Sequence, residues 1–172
     1  MPARAQAKLF DTQENRLGVA FQNGSYEKVL IGTATTVGAV ASNILFDAVK
    51  APDPSGASGG KLRIPEGTVV GFYILLTAAN ATDDPGTTLN YGQAYEIKGV
   101  IRNLNGTTAL PVAGVTPVAL DLTASHALPA GNVVVTADAA NNALNIAVTG
   151  VAAKTYYWRA TAYLSSSNFF GV

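Results

Sequence analysis

Lys154-Thr155-Tyr156-Tyr157-Trp158-Arg159-Ala160-Thr161-Ala162-Tyr163-Leu164 is the stretch on which the fold turns. Read with a period of two, it puts Tyr156, Trp158, Ala160, Ala162 and Leu164 on one side and Tyr157, Arg159, Thr161 and Tyr163 on the other. Successive side chains of a β-strand point to opposite faces, so the first set makes a core face and the second a solvent or contact face. Leu144, Ile146 and Val148 oppose Asn145 and Thr149 in the same way, and Tyr95, Ile97 and Ile101 oppose Glu96, Lys98 and Arg102. Val69 to Ala78 differs. Phe72, Ile74 and Leu76 point one way while Val69, Tyr73 and Leu75 point the other, so neither side suits water. Such a strand is expected either at the buried centre of a sheet or in an interface.

Further short β-type runs occur at Lys28 to Gly32, Asn43 to Val49, Ala94 to Leu104, Thr116 to Leu122 and Asn132 to Asp138, with Gly, Pro and Asn between them. The 17 Gly and 8 Pro break most windows in which an amphipathic helix would form. The pattern predicts an all-β chain, an antiparallel β-sandwich or jelly-roll-like single domain. The short links Ala139-Ala140-Asn141-Asn142 and Gly150-Val151-Ala152-Ala153 predict a three-stranded antiparallel meander at the C-terminal end. Residues 1–27 show neither period and are expected to form an extended N-terminal arm ahead of a β-sandwich domain over residues 28–172.

Composition narrows the function. The chain has 172 residues, 11 Lys+Arg against 11 Asp+Glu, one His and no Cys. A chain of this length buries enough surface to fold without a disulfide or a metal staple. Absence of Cys removes disulfides, thiolate zinc sites and cysteine nucleophiles. A net charge of zero with no basic block argues against nucleic acid as a partner. The opening residues lack the apolar segment of a signal peptide, and the longest apolar run, Val69 to Ala79, is about half a bilayer span, so a soluble chain with no membrane partner is expected. Only 13% of residues are charged, and polarity rests on Thr, Asn, Ser and Gly. Near-zero net charge removes colloidal repulsion, which points to a protein that assembles.

No motif builds a convincing catalytic or ligand site. Gly56-Ala57-Ser58-Gly59-Gly60 fits the spacing of a nucleophilic serine elbow, but Pro52 and Pro54 precede it and strand-like Lys61-Leu62-Arg63-Ile64-Pro65 follows where the elbow needs a helix. Gly59-Gly60-Lys61 resembles the end of a phosphate-binding loop, yet Ser55 and Leu62 occupy two of that motif's four fixed positions. Asp83 and Asp84, with Asn80, Thr82 and Asn90 nearby, offer oxygen ligands for a hard cation, against the simpler reading of a solvated Asp-Asp-Pro-Gly turn. His126 alone cannot build a usual zinc site. Asn105-Gly106-Thr107 fits a glycosylation pattern but reads as a turn. These features predict no cofactor, no metal and no enzyme. The outward set Tyr157, Arg159 and Tyr163, like Val69, Tyr73 and Leu75, suits an inter-subunit contact. Aromatic rings with hydrogen-bonding neighbours equally suit a saccharide face.

Tyr95-Glu96-Ile97-Lys98-Gly99-Val100-Ile101-Arg102, Gly106-Thr107-Thr108-Ala109-Leu110, Val133 to Asp138, Ala143-Leu144-Asn145-Ile146-Ala147-Val148-Thr149-Gly150 and Thr155 to Ala160 together resemble a β-rich segment of tailed-bacteriophage virion proteins. Such segments end in a Leu-x-Leu-x-Val-Thr-Gly strand and an aromatic Arg/Trp strand, and here the resemblance covers roughly residues 90–165. The order Trp158-Arg159, after two Tyr, departs from the Arg-Trp order of that pattern. The resemblance implies a virion structural protein made in the host cytoplasm. Chain length and the N-terminal arm favour a capsid cement or decoration protein on the capsid exterior. Its partners would be the major capsid protein, reached through arm residues Leu9, Phe10, Leu17 and Phe21, and further copies of itself, a trimer being favoured. The competing expectation is a tail-fibre, tail-tip or lectin-like module that recognises a host surface glycan.

Overall fold

A computed structural model describes residues 17–20, 26–46, 60–81, 92–111, 114–120, 128 and 131–168. Among them the regular structure is all β, in two antiparallel sheets. The strands are β1 (Leu17–Ala20), β2 (Tyr26–Val37), β3 (Ala41–Asn43), β4 (Leu62–Arg63), β5 (Thr68–Asn80), β6 (Gly92–Leu104), β7 (Thr107–Ala109), β8 (Val118–Leu120), β9 (Val133–Asp138), β10 (Ala143–Thr149) and β11 (Thr155–Asn168).

The larger sheet runs β1-β2-β11-β5-β6-β7, with β8 also pairing with β6. Its centre is β11, which bonds to β2 along one edge and to β5 along the other. In the smaller sheet β10 pairs with β9, and with both β3 and β4. The inner faces of the two sheets enclose the core. Tyr156, Trp158, Ala160, Ala162 and Leu164 of β11 are all buried, as are Phe72, Ile74 and Leu76 of β5 and Leu144, Ile146 and Val148 of β10. The period-two reading therefore assigns the core faces of β10 and β11 correctly, and for β5 the structure selects the Phe72, Ile74 and Leu76 side.

Several polar groups inside this core are hydrogen-bonded into it, as burial demands, while Asn103 Oδ1 is buried with no partner among the described residues. The Trp158 indole N–H donates to Thr36 Oγ1 at 2.9 Å. Tyr95 lies stacked on Trp158 with centroids 6.5 Å apart, and Tyr156 is tilted against Trp158 at 6.2 Å. The Tyr95 hydroxyl donates to Gln93 Oε1 at 3.0 Å, and the same oxygen accepts the Leu128 N–H at 2.6 Å. Asn103, at 1% exposure, donates through Nδ2 to the Ile64 carbonyl at 2.9 Å and so ties β6 to the segment after β4.

The C-terminal meander does not form. β9 and β10 make the expected hairpin, but β11 crosses to the other sheet. The reason is that β10 has no free edge: β9 occupies one side, and β3 and β4 share the other. The Gly150–Ala153 link carries the chain across the sandwich. A Cβ on Gly150 would sit 2.7 Å from both the Gly38 carbonyl and Thr36 Oγ1, so only glycine allows the backbones to pass this closely. Asn105-Gly106 is a turn as read, with φ of 51° and 74°, the pair of positive values a two-residue hairpin loop requires.

Two boundaries also shift. β2 extends to Val37, beyond the expected end at Gly32, because Thr33-Ala34-Thr35-Thr36 lacks apolar alternation although it pairs with β11 throughout. Of the residues read as an N-terminal arm, Leu17–Ala20 pair with Tyr26–Val29 as a hairpin at the sheet edge, while Leu9, Phe10 and Phe21 lie outside the described residues.

Thr36→Val keeps the shape of the side chain and removes the acceptor for the buried indole. We expect a loss of about 1–2 kcal/mol in chemical denaturation, most of it restored in Thr36→Ser. Gly150→Ala is expected to cost about 1–3 kcal/mol through the clash with Gly38 and Thr36.

Candidate functional site

The outward face of the larger sheet concentrates the exposed apolar surface. Nine of the twelve exposed large hydrophobic side chains among the described residues lie on it: Ile31, Val37, Tyr73, Leu75, Val100, Val118, Leu120, Tyr157 and Tyr163. The outer side of the smaller sheet is more polar, with Asn145 Nδ2 donating to Thr136 Oγ1 at 3.4 Å. Strand pairing gathers on this one wall all six residues singled out as interface candidates, Val69, Tyr73, Leu75, Tyr157, Arg159 and Tyr163. Val69 to Ala78 lies inside the larger sheet with one face in the core, and no described element covers the other.

Register divides the wall into two ends. At one, Tyr157 is 59% exposed and lies between Thr35 and Ala79 of the neighbouring strands. Arg159 follows on the same face, between Thr33 and Thr77, whose hydroxyl donates to the Arg159 carbonyl at 3.3 Å. Among the described residues nothing pairs with the Arg159 guanidinium. This end is a ring and a cation set among threonine hydroxyls.

At the other end Tyr163 stands beside Tyr73, with centroids 6.0 Å apart. Lys98 Nζ lies 5.9 Å from the Tyr73 ring centroid, within reach of a cation–π contact, and bonds to Glu96 Oε1 at 2.9 Å. The hydrogen bond and charge of Glu96 hold the Lys98 ammonium above its ordinary pKa. Ile31, Leu75 and Val100 surround this pair. Tyr157 and Tyr163 are six residues apart on β11, about 20 Å along a strand, so a single small ligand cannot touch both.

Thr33, Thr35, Ile31, Lys98 and Val100 belong to this wall and were not singled out from the sequence. Outward parity along β2 and β6 identifies them once those strands are known to flank β11 and β5. Ser58, Asp83, Asp84 and His126 lie outside the described residues. Among the described residues, no group of three or more His, Cys, Asp or Glu side chains is placed to hold a metal ion, and no helix is long and apolar enough to cross a membrane.

The fold and this wall define a two-sheet β-protein with an open, aromatic and hydroxyl-bearing outer surface. No protein-family model matches the chain, and no curated protein matches it. Among solved structures it is similar to the tailspike protein of Acinetobacter baumannii bacteriophage Fri1, described as a capsular polysaccharide depolymerase. That match has 12% identity and a TM-score of 0.39, and covers 86% of this chain and 19% of that one. It is also similar to the tailspike protein of a second Acinetobacter phage, at 12% identity and a TM-score of 0.34, covering 98% of this chain and 25% of that one. The chain thus spans a quarter or less of the length of these tailspikes. One expectation is corrected. Missing catalytic motifs had pointed to a chain that is not an enzyme, but one of the matched proteins is a depolymerase, so their absence is no ground for that exclusion.

The remaining charged cluster is structural. Lys61, the lysine of the failed phosphate-loop motif, donates to Asp138 Oδ2 at 2.6 Å and links the start of β4 to the end of β9. Asn141 Nδ2 donates to the same oxygen at 2.8 Å, and the Asn141 N–H donates to Oδ1 at 3.2 Å. The Lys61 and Asn141 hydrogen bonds hold the Asp138 carboxyl below the usual carboxylate range. A depressed folded-state pKa gives stability that is complete above the unfolded-state value and fades as pH falls through the folded one. Asp138→Asn should therefore cost about 1 kcal/mol or less at neutral pH, and its difference from the unaltered protein should shrink as pH falls below the usual carboxylate range, read from urea denaturation across pH.

Proposed function

We propose that this chain is a tail-associated virion protein of a tailed bacteriophage, and that the Tyr157 end of its outer wall recognises a saccharide of the host surface. The observation that carries the reading is the exposed Tyr157 ring, with Thr33, Thr35 and Thr77 hydroxyls and the Arg159 guanidinium in register around it. The apolar face of a sugar ring stacks on an aromatic side chain, while its hydroxyls exchange hydrogen bonds with side-chain hydroxyls and guanidinium groups. An open sheet face suits an extended polymer, which can lie along the strands instead of entering a pocket.

The phage assignment rests on the β-rich sequence pattern over roughly residues 90–165, whose last two strands fold here as β10 and β11. The capsid-cement reading depended on an N-terminal arm reaching a neighbouring subunit. The described part of that arm, Leu17–Ala20, instead pairs within the chain's own sheet.

Full-length protein should bind purified host surface polysaccharide in a glycan-array or calorimetric assay. Tyr157→Ala should weaken that binding about tenfold or more, equivalent to about 1.4 kcal/mol, with circular dichroism unchanged. Binding that survives Tyr157→Ala and Arg159→Gln together, or no binding by the unaltered protein, would overturn the reading.

A further inference from the structure

We infer that the other end of the same wall, centred on Tyr73, Leu75 and Tyr163, is a contact surface for a second copy of this chain. Its apolar residues are not scattered. Tyr73 and Tyr163 are paired across β5 and β11, Leu75 lies one outward position along β5, and Ile31 and Val100 extend the patch onto β2 and β6. At 37–50% exposure these five side chains keep large apolar areas in water. Contiguous exposed patches of this kind mark association surfaces.

Size and charge identify the occupant. The patch crosses β2, β11, β5 and β6, with Val118 of β8 at one corner, and runs the length of Val69 to Leu75. At about 4.8 Å between strands and about 3.4 Å per residue its plan area is about 450 Å², and the relief of upright side chains brings it towards the roughly 800 Å² that each partner gives to a standard interface. The charged side chains described inside it are Glu96 and Lys98, which neutralise one another, with Arg102 at the rim opposite Val69. Two copies can therefore meet there without burying an unpaired charge, and a chain with 11 positive and 11 negative residues carries no net repulsion against its own kind. A strongly charged partner would find nothing to pair with. Arg159 and Tyr157 lie beyond the patch and stay open in such an assembly.

Sedimentation velocity and light scattering on the full chain over a wide concentration range test this directly. The unaltered protein should have at least double the mass of one chain. Leu75→Arg and, separately, Val100→Lys should reduce it to a monomer with unchanged circular dichroism, since both side chains face outward. Tyr157→Ala should leave the mass unaltered. A monomeric unaltered protein, or folded Leu75→Arg and Val100→Lys variants that assemble normally, overturns the inference. A monomer that binds saccharide defeats this inference alone, and an oligomer that binds none defeats only the functional reading.

Discussion

The rest of the structure depends on how β11 is held. It is hydrogen-bonded along both edges, to β2 and β5, and it carries the largest side chain of the core, Trp158, at 1% exposure. The indole brings one polar group into an apolar layer, and Thr36 on β2 satisfies it. That bond fixes the register of two central strands at the level where the Gly150 link crosses from the smaller sheet, because Thr36 also stands against Gly150. A strand with both edges bonded and one face committed to the core has a single surface left. What β11 shows to the outside is decided by the residues between the core ones: Tyr157, Arg159, Thr161, Tyr163, Ser165 and Ser167.

Period two was therefore legible and sheet membership was not. Alternation assigned the faces of β6, β10 and β11 because each has bulky apolar side chains on its inner side. It failed at the end of β2, where Thr36 is buried as a hydrogen-bond acceptor and reads in sequence as one more polar residue. It failed again for the meander. Link length says that two strands can be neighbours, but whether β10 still has an edge to offer depends on β3 and β4, which lie about a hundred residues earlier. Gln93 and Asn103 share the inner face of β6 with Tyr95, Ile97 and Ile101, and only their partners in the fold, Leu128 and Ile64, explain why polar side chains belong there.

The wall itself was half legible. Tyr73, Leu75, Tyr157, Arg159 and Tyr163 stood out as side chains on the less expected face of an apolar strand, and pairing of β5 with β11 brings them onto one surface. Their separation into two ends was hidden, since it follows from register: Tyr163 faces Tyr73, while Tyr157 faces Ala79. The threonines that give the Tyr157 end its hydroxyls come from β2 and β5, and no spacing rule within one strand could have joined them to Arg159.

An open face has a physical consequence for recognition. A sugar lying on an open sheet leaves one side in water, so each site gains less than a pocket enclosing most of its ligand would give. Affinity for a polymer then grows by repetition. Linking copies of a weak site makes each later contact intramolecular, and a repetitive polysaccharide presents the same unit to all of them. On this wall the two requirements fall on different residues. The Tyr73 end offers a neutral apolar surface, while the Tyr157 end presents an exposed ring, an exposed arginine and threonines. Because the two ends share the rigid frame of β11, an assembly made through one fixes the spacing and direction of the other.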